Sequence, residues 1–199
     1  MNVKEYVGDL NGGSLLQADA RKIANLLLQS RSKEQAKIEI VENNILQRKS
    51  IHSALRVANT LNHRLKALGP SFWQDLLDSD GQEYAQLLML SLIIHSPVVA
   101  DFMKLVLGEY RRQYKPALDP QAWEIFIDDQ CRRISGLAEY SEGTLDKMRK
   151  NVFRALAEAG YINSVRSKQL QPVFVLPRTK YQIERLGRLD LEPVMECTI

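Results

Sequence analysis

Lys147, Lys150 and Arg154 stand at spacings i, i+3 and i+7. On a helix those spacings bring three cations onto one face. A row of cations suits the repeating charge of a nucleic-acid backbone, where each neutralised phosphate releases counterions. Arg166 and Lys168 follow a few residues later, and Arg48, Lys49 and Arg56 form a second basic group. These eight residues are the candidate contacts to duplex DNA.

Other chemistries lack their residues. There is no phosphate-cradling G-x-x-x-x-G-K-S/T, no G-x-G-x-x-G and no H-E-x-x-H. A G-x-S-x-G nucleophile turn and the kinase signatures are also absent. Asp128 and Asp129 are adjacent, so on a helix they point in different directions, with Arg132 and Arg133 as natural partners. His52 and His63 lie 11 residues apart, about 16 Å along a helix, which is too far for one metal. Cys131 and Cys197 make no zinc or disulfide pattern, and a reducing, cytoplasmic setting follows. His95 ends an apolar run and reads as a core residue. The expectation is a protein without catalysis, metal, cofactor or small-molecule substrate.

The three cations need a helix to align them. Leu145, Met148, Val152, Leu156 and Ala159 form an apolar stripe on one side of a helix over 144–159, and Lys147, Lys150 and Arg154 fall opposite. Asp146 and Glu158 lie at the margins of the cationic face. Ser141 or Thr144 can start this helix, and Gly160 can end it in a left-handed conformation. A helix over Gln121–Ile134 precedes it. Tyr161-Ile162 and Pro172–Leu176 read as short strands joined by a polar turn, Asn163–Gln171. Helix, turn, helix, hairpin is the order of a winged helix, whose second helix enters the major groove. Arg166 and Lys168 would then sit at the hairpin tip.

The second group belongs to a helix capped by Ser50 and reaching about Leu68. Ile51, Ala54, Leu55, Ala58, Leu61 and Leu65 form its expected core face. His52, Arg56, Asn59, His63 and Lys66 line the other side, with no acidic residue from Ala54 to Phe72. Arg, Asn and His suit phosphate and base-edge contacts. A solvated face accounts for the same pattern.

The rest of the chain reads as helices. Ser14 precedes an apolar-periodic run over Leu15–Leu28. Ser32 and Gln35 can form a capping box before Ala36–Asn43. Pro70 opens a short helix bearing Phe72, Trp73, Leu76 and Leu77, and Asp80 can cap another reaching Ile94. Pro97 opens a further helix to about Tyr110, and a last one spans Thr179–Leu186 before an acidic tail. The predicted architecture is mainly α: a multi-helix N-terminal domain over 1–115, then a winged-helix-like domain with a short β-hairpin over 119–199. Leu87–Ile94 is the most apolar run, but a membrane span needs about 20 such residues, and His95, Pro97, Asp101 and Lys104 follow. No membrane segment is expected.

A chain of 199 residues with 45% hydrophobic and 26% charged residues is ordinary for a globular protein. Its net charge of +3 hides a gradient. Residues 1–140 carry 17 basic and 17 acidic side chains, residues 141–188 carry 10 and 4, and residues 189–199 carry 3 acidic and none basic. A localised basic segment is the electrostatic footprint of a nucleic-acid binder.

Several strings together carry a resemblance. Gly13-Ser14-Leu15-Leu16 followed by Ala20-Arg21-Lys22-Ile23-Ala24 resembles the opening of the BrxA family. Those are small proteins of BREX, the bacteriophage-exclusion systems of bacteria and archaea. Leu46-Gln47-Arg48-Lys49-Ser50, His63-Arg64-Leu65, His95-Ser96 with Asp101-Phe102, Leu156-Ala157-Glu158-Ala159-Gly160-Tyr161 and Arg166-Ser167 continue it over residues 10–176. The resemblance implies a helix-rich accessory protein without known catalysis, encoded beside a methyltransferase, an ATPase and a phosphatase-like protein. It also implies DNA binding. Family members carry the labels NusB-like, meaning RNA-binding, and inner-membrane; the hydropathy of this chain speaks against the second.

Three functions remain open on these grounds. The first is a non-catalytic, duplex-DNA-binding component of a phage-defence system, with other BREX proteins as further partners. The second is a NusB-like RNA-binding factor, against which stands the lack of aromatics interleaved with the basic residues. The third is a protein-interaction scaffold whose basic faces meet acidic partners.

Overall fold

The computed structural model describes residues 1–29 and 32–198. Ile199, the last residue of the expected 119–199 segment, lies outside them. The fold is mainly helical. A short α1 (Val3–Val7) leads through a 3-10 turn (Leu10–Gly12) into α2 (Gln17–Gln29), α3 (Lys33–Val41), α4 (Ile51–Leu65) and α5 (Pro70–Asp78). Then come α6 (Gly81–His95), α7 (Pro97–Phe102), a π-helical turn (Met103–Leu107), α8 (Gly108–Arg112), α9 (Ala122–Cys131) and α10 (Glu142–Glu158). Two final helices, α11 (Pro177–Arg185) and α12 (Leu191–Glu196), close the chain.

Local chemistry explains most boundaries. Ser32, Ser50 and Ser141 each accept a hydrogen bond from the backbone N–H three residues on, relieving the unpaired donors of α3, α4 and α10. Pro70 and Pro97 occupy first helical turns, where a missing N–H costs nothing. Gly160 takes φ +78 just past α10. Ser14 departs from its expected role. Leu16 turns with φ +55, α2 starts later at Gln17, and the Ser14 hydroxyl is engaged elsewhere.

α6 is buried nearly all round and forms the central column. α4, α5, α7 and α11 pack on it, α2 packs on α4 and α5, and α12 packs on α7 and the π-helical turn. Among the described residues no single helix is long and apolar enough to cross a membrane. The pair α6 and α7–α8 is together apolar enough, but it bends by 109° at Ser96-Pro97. The chain is non-helical over 115–119, and one cluster of buried apolar side chains includes residues on both sides of this link. Phe102 of α7 meets Trp123 and Phe126 of α9 and Phe153 of α10, with ring centroids 5.2–6.0 Å apart.

The expected β-hairpin is not formed, and the winged-helix assignment loses its strands. Among the described residues there are no strands, only two isolated antiparallel bridges, Ala117 with Gln169 and Ile162 with Leu170. Pro172 offers no N–H to extend the pairing, and the chain turns to a different partner. Over 172–176 it lies along α6, where the Gln86 amide donates to the Phe174 carbonyl (2.8 Å) and accepts from the Leu176 N–H (2.9 Å). Glu196 of α12 accepts from the Val175 N–H (3.0 Å). One glutamine thus does for this strap what a neighbouring strand would do. The acidic tail forms α12, which buries Leu191, Val194 and Met195.

Candidate nucleic-acid interface

α10 presents the geometry its periodicity predicts. Met148, Val152, Leu156 and Ala159 are buried, and Lys147, Lys150 and Arg154 are exposed. The three cations are not equivalent. Lys150 bonds Asp146 (2.6 Å), which also accepts from Arg149 (2.6 Å). Those two cations hold the Asp146 carboxyl below its usual range. Lys147 and Arg154 have no ion pair among the described residues.

The turn after α10 leans back on it. Asn163 accepts from the Ser167 hydroxyl (2.6 Å) and the Gln169 N–H (3.1 Å), closing a tight loop. Lys168, at φ +52, carries its ammonium 5.3 Å from the centre of the Phe153 ring of α10. Arg166 is exposed at the loop tip. The 169–171 stretch lies between 116–118 and 161–163, through Leu170 N–H to Pro116 (2.9 Å) and Gln171 N–H to Tyr161 (2.9 Å).

The second basic group is divided. Arg48 bonds buried Asp19 of α2, so its charge is already matched. Lys49 is exposed and has no ion pair among the described residues. Arg56 is exposed on α4 and donates to the Gly12 carbonyl (3.2 Å). The buried arc of α4 is rotated from the expected one. Ile51 is 57% exposed, while Val57, Thr60 and Arg64 are buried.

That rotation reveals a junction the sequence reading missed. Arg64 is only 2% exposed. Its guanidinium donates to the carbonyls of Ser14, Gly13 (2.7 Å) and Asp9 (3.4 Å). Burial pulls its pKa down to about 10, opposed by the nearby charges of Asp9 and Glu158. Glu158, near the end of α10, accepts from the Ser14 hydroxyl (3.0 Å) and the Leu15 N–H (3.0 Å). Asn151 of α10 donates to the Leu10 carbonyl (2.8 Å). The 9–15 loop is therefore held by α4 on one side and α10 on the other, so Arg56 and the α10 cations border the same loop.

Beside it, Asp9 accepts from His63 Nδ1 (2.5 Å) and lies 3.6 Å from His95 Nε2. His95, expected in the core, is half-buried at the edge of this junction. Burial pushes its pKa down, Arg64 and His63 add to the effect, and Asp9 opposes it. Among the described residues no group of three His, Cys, Asp or Glu side chains is arranged to hold a metal ion.

Ser14, His63-Arg64, His95-Ser96 and Glu158 come from four separate strings of the sequence, and all four strings meet at this junction. The profile of the BrxA family matches residues 4–187. The chain belongs to the BrxA family. It is 40% identical over 195 residues to the BREX protein BrxA of Escherichia coli O9:H4 (strain HS), covering 98% of this chain and 92% of that one. The BREX protein BrxA of Paramagnetospirillum magneticum (strain ATCC 700264 / AMB-1) is 33% identical over 169 residues, 84% of each chain. The crystal structure of an uncharacterized protein from Magnetospirillum magneticum has the same fold, with a TM-score of 0.86, 27% identity and 98% of each chain covered. The matched profile therefore takes in α4, α10 and the whole 9–15 loop of this BrxA-family chain.

Proposed function

We propose that this BrxA-family chain is a non-catalytic, cytoplasmic DNA-binding component of a BREX phage-defence system. The observation that carries the reading is the face of α10, where Lys147 and Arg154 are exposed and have no ion pair among the described residues, opposite a stripe in which Met148, Val152, Leu156 and Ala159 are buried and Leu145 is half-buried. Unpaired cations on a rigid helix meet phosphates without first breaking an internal ion pair. In this reading α10 is the helix that faces the duplex, with Arg166 and Lys168 of the following loop beside it. Lys49 and Arg56 supply the second contact; Arg48 contributes less because Asp19 neutralises it. Other BREX proteins are the further partners.

Binding to duplex DNA, RNA and BREX proteins over a salt series tests the reading. The expected result is duplex-DNA binding with little sequence preference, weakening linearly in log affinity against log salt. The triple variant Lys147/Lys150/Arg154→Ala should flatten that slope by about 2 units, one phosphate contact each for Lys147 and Arg154. A folded triple variant with unchanged affinity and slope overturns the assignment to α10. Preference for RNA, or binding to protein partners alone, replaces it with an RNA-binding or scaffold role.

A further inference from the structure

Arg64 is an expensive residue for its place. Removing a guanidinium from water is unfavourable unless its donors are matched, and an apolar side chain of similar volume is often as stable. Here no carboxylate bonds it directly; it is matched by three backbone carbonyls of one loop, and its Nε has no partner among the described residues. What such an arrangement gains is a defined loop geometry.

The loop it defines separates the two basic faces. Gly12 lies so close to α4 that an added Cβ would stand 2.1 Å from Thr60 Oγ1. From the other side α10 holds Leu10, Ser14 and Leu15. Any shift of residues 9–15 therefore changes the spacing between Arg56 and the cations of α10.

We infer that Arg64 is the positioning residue of the nucleic-acid face: by fixing the 9–15 loop between α4 and α10, it sets Arg56 and the α10 cations at the spacing where both meet one duplex. The inference rests on the DNA-binding reading above. Two contact sets on one rigid frame act as a single multivalent site. The planar fork is required, because a lysine ammonium cannot reach three carbonyls with the same geometry.

The test is a double-mutant cycle on duplex DNA over a salt series, using Arg56→Ala, Arg64→Lys and their combination in the full chain. In the wild type, Arg56→Ala should flatten the log affinity against log salt slope by about 0.9, one phosphate contact. Arg64→Lys, folded by circular dichroism and thermal unfolding, should bind about tenfold more weakly, with a similarly flattened slope. In the Arg64→Lys background, Arg56→Ala should then change nothing further. Loss of stability alone would leave the Arg56 effect at full size, so a persistent effect overturns the inference, as does wild-type affinity and slope in folded Arg64→Lys. If Arg64→Lys does not fold, Glu158→Gln loosens the same loop from α10 and decides by the same readout. Absence of salt-dependent DNA binding by the wild-type chain overturns the DNA reading itself and this inference with it. That result is seen before any variant is made.

Discussion

Arg64 of α4 and Glu158 of α10 bind the same residue through different atoms: the guanidinium donates to the Ser14 carbonyl, and the carboxylate accepts from the Ser14 hydroxyl. Two opposite charges 94 positions apart in sequence thus stabilise one loop without touching each other. Glu158→Ala removes the acceptor for Ser14 and for the Leu15 N–H, and strips Arg64 of a balancing charge. It should destabilise the fold by about 2–4 kcal/mol. Glu158→Gln, which keeps one oxygen acceptor, should cost about half as much. Urea unfolding checks both, with the midpoint falling and the m-value constant.

Stability should depend on pH through His95. Its folded pKa is depressed, chiefly by burial. Below the unfolded value of about 6.5, the unfolded chain therefore binds more protons than the folded one, and stability rises with pH. This contribution is present above about pH 6.5 and is lost as pH falls through the folded pKa. Unfolding free energies measured from pH 5 to 7.5 should climb for the wild type. The slope should be shallower for His95→Gln. Identical slopes would mean that Asp9 offsets burial completely.

Two glycines should respond in opposite directions. Gly8 has φ +51, and an added Cβ would lie 2.3 Å from the His95 carbonyl, a backbone atom that cannot swing aside. Gly8→Ala should destabilise by about 2–4 kcal/mol, combining backbone strain with overpacking. Gly143 lies in the first turn of α10 with nothing within 4 Å of its Cβ position. Gly143→Ala should stabilise by about 0.5–1 kcal/mol. Thermal unfolding of the two variants separates them by sign.

The caps Ser32, Ser50 and Ser141, the prolines and most of the apolar stripe of α10 were legible in the sequence because each acts within a few residues, whereas Asp80 makes no side-chain cap bond at the start of α6. The pairing of 172–176 was not legible. Its β-like composition is real, but its partner is the side chain of Gln86, some 90 residues away. A short run of β-branched and aromatic residues says that a segment is extended and not what satisfies its backbone. Arg64 escaped for a related reason: an arginine on a helix reads as surface. The available signal was Val57, an apolar residue at the flank of the expected core face and seven positions before Arg64, so on the same stripe of α4.

The strap gives a direct test of that point. Gln86→Leu would leave the Phe174 carbonyl and the Leu176 N–H without their partners. The expected loss is about 2–3 kcal/mol, the penalty for two partly buried unpaired groups. Hydrogen exchange should localise it, with the Leu176 amide losing protection while amides in the middle of α6 keep theirs. A uniform loss of protection would show that the strap unfolds only with the whole chain.

Asp146 offers a gain-of-binding test of the DNA reading. It is the only acidic residue on α10 that bonds a cation of the candidate face, holding Lys150 at 2.6 Å and Arg149 at 2.6 Å. As a carboxylate it both neutralises those cations and repels an approaching phosphate. Asp146→Asn keeps the shape and removes the charge. Lys150 is then free to reach the duplex, and the log affinity against log salt slope should steepen by up to about 0.9 for each cation released. Affinity at low salt should rise several-fold, and the gain should shrink as salt increases, because exposed charges are screened. The same substitution in a Lys150→Ala background should lose most of the gain. Were Asp146→Asn to leave affinity and slope unchanged while Lys147/Lys150/Arg154→Ala weakened binding, the contact would belong to Lys147 and Arg154, with Lys150 serving α10 alone.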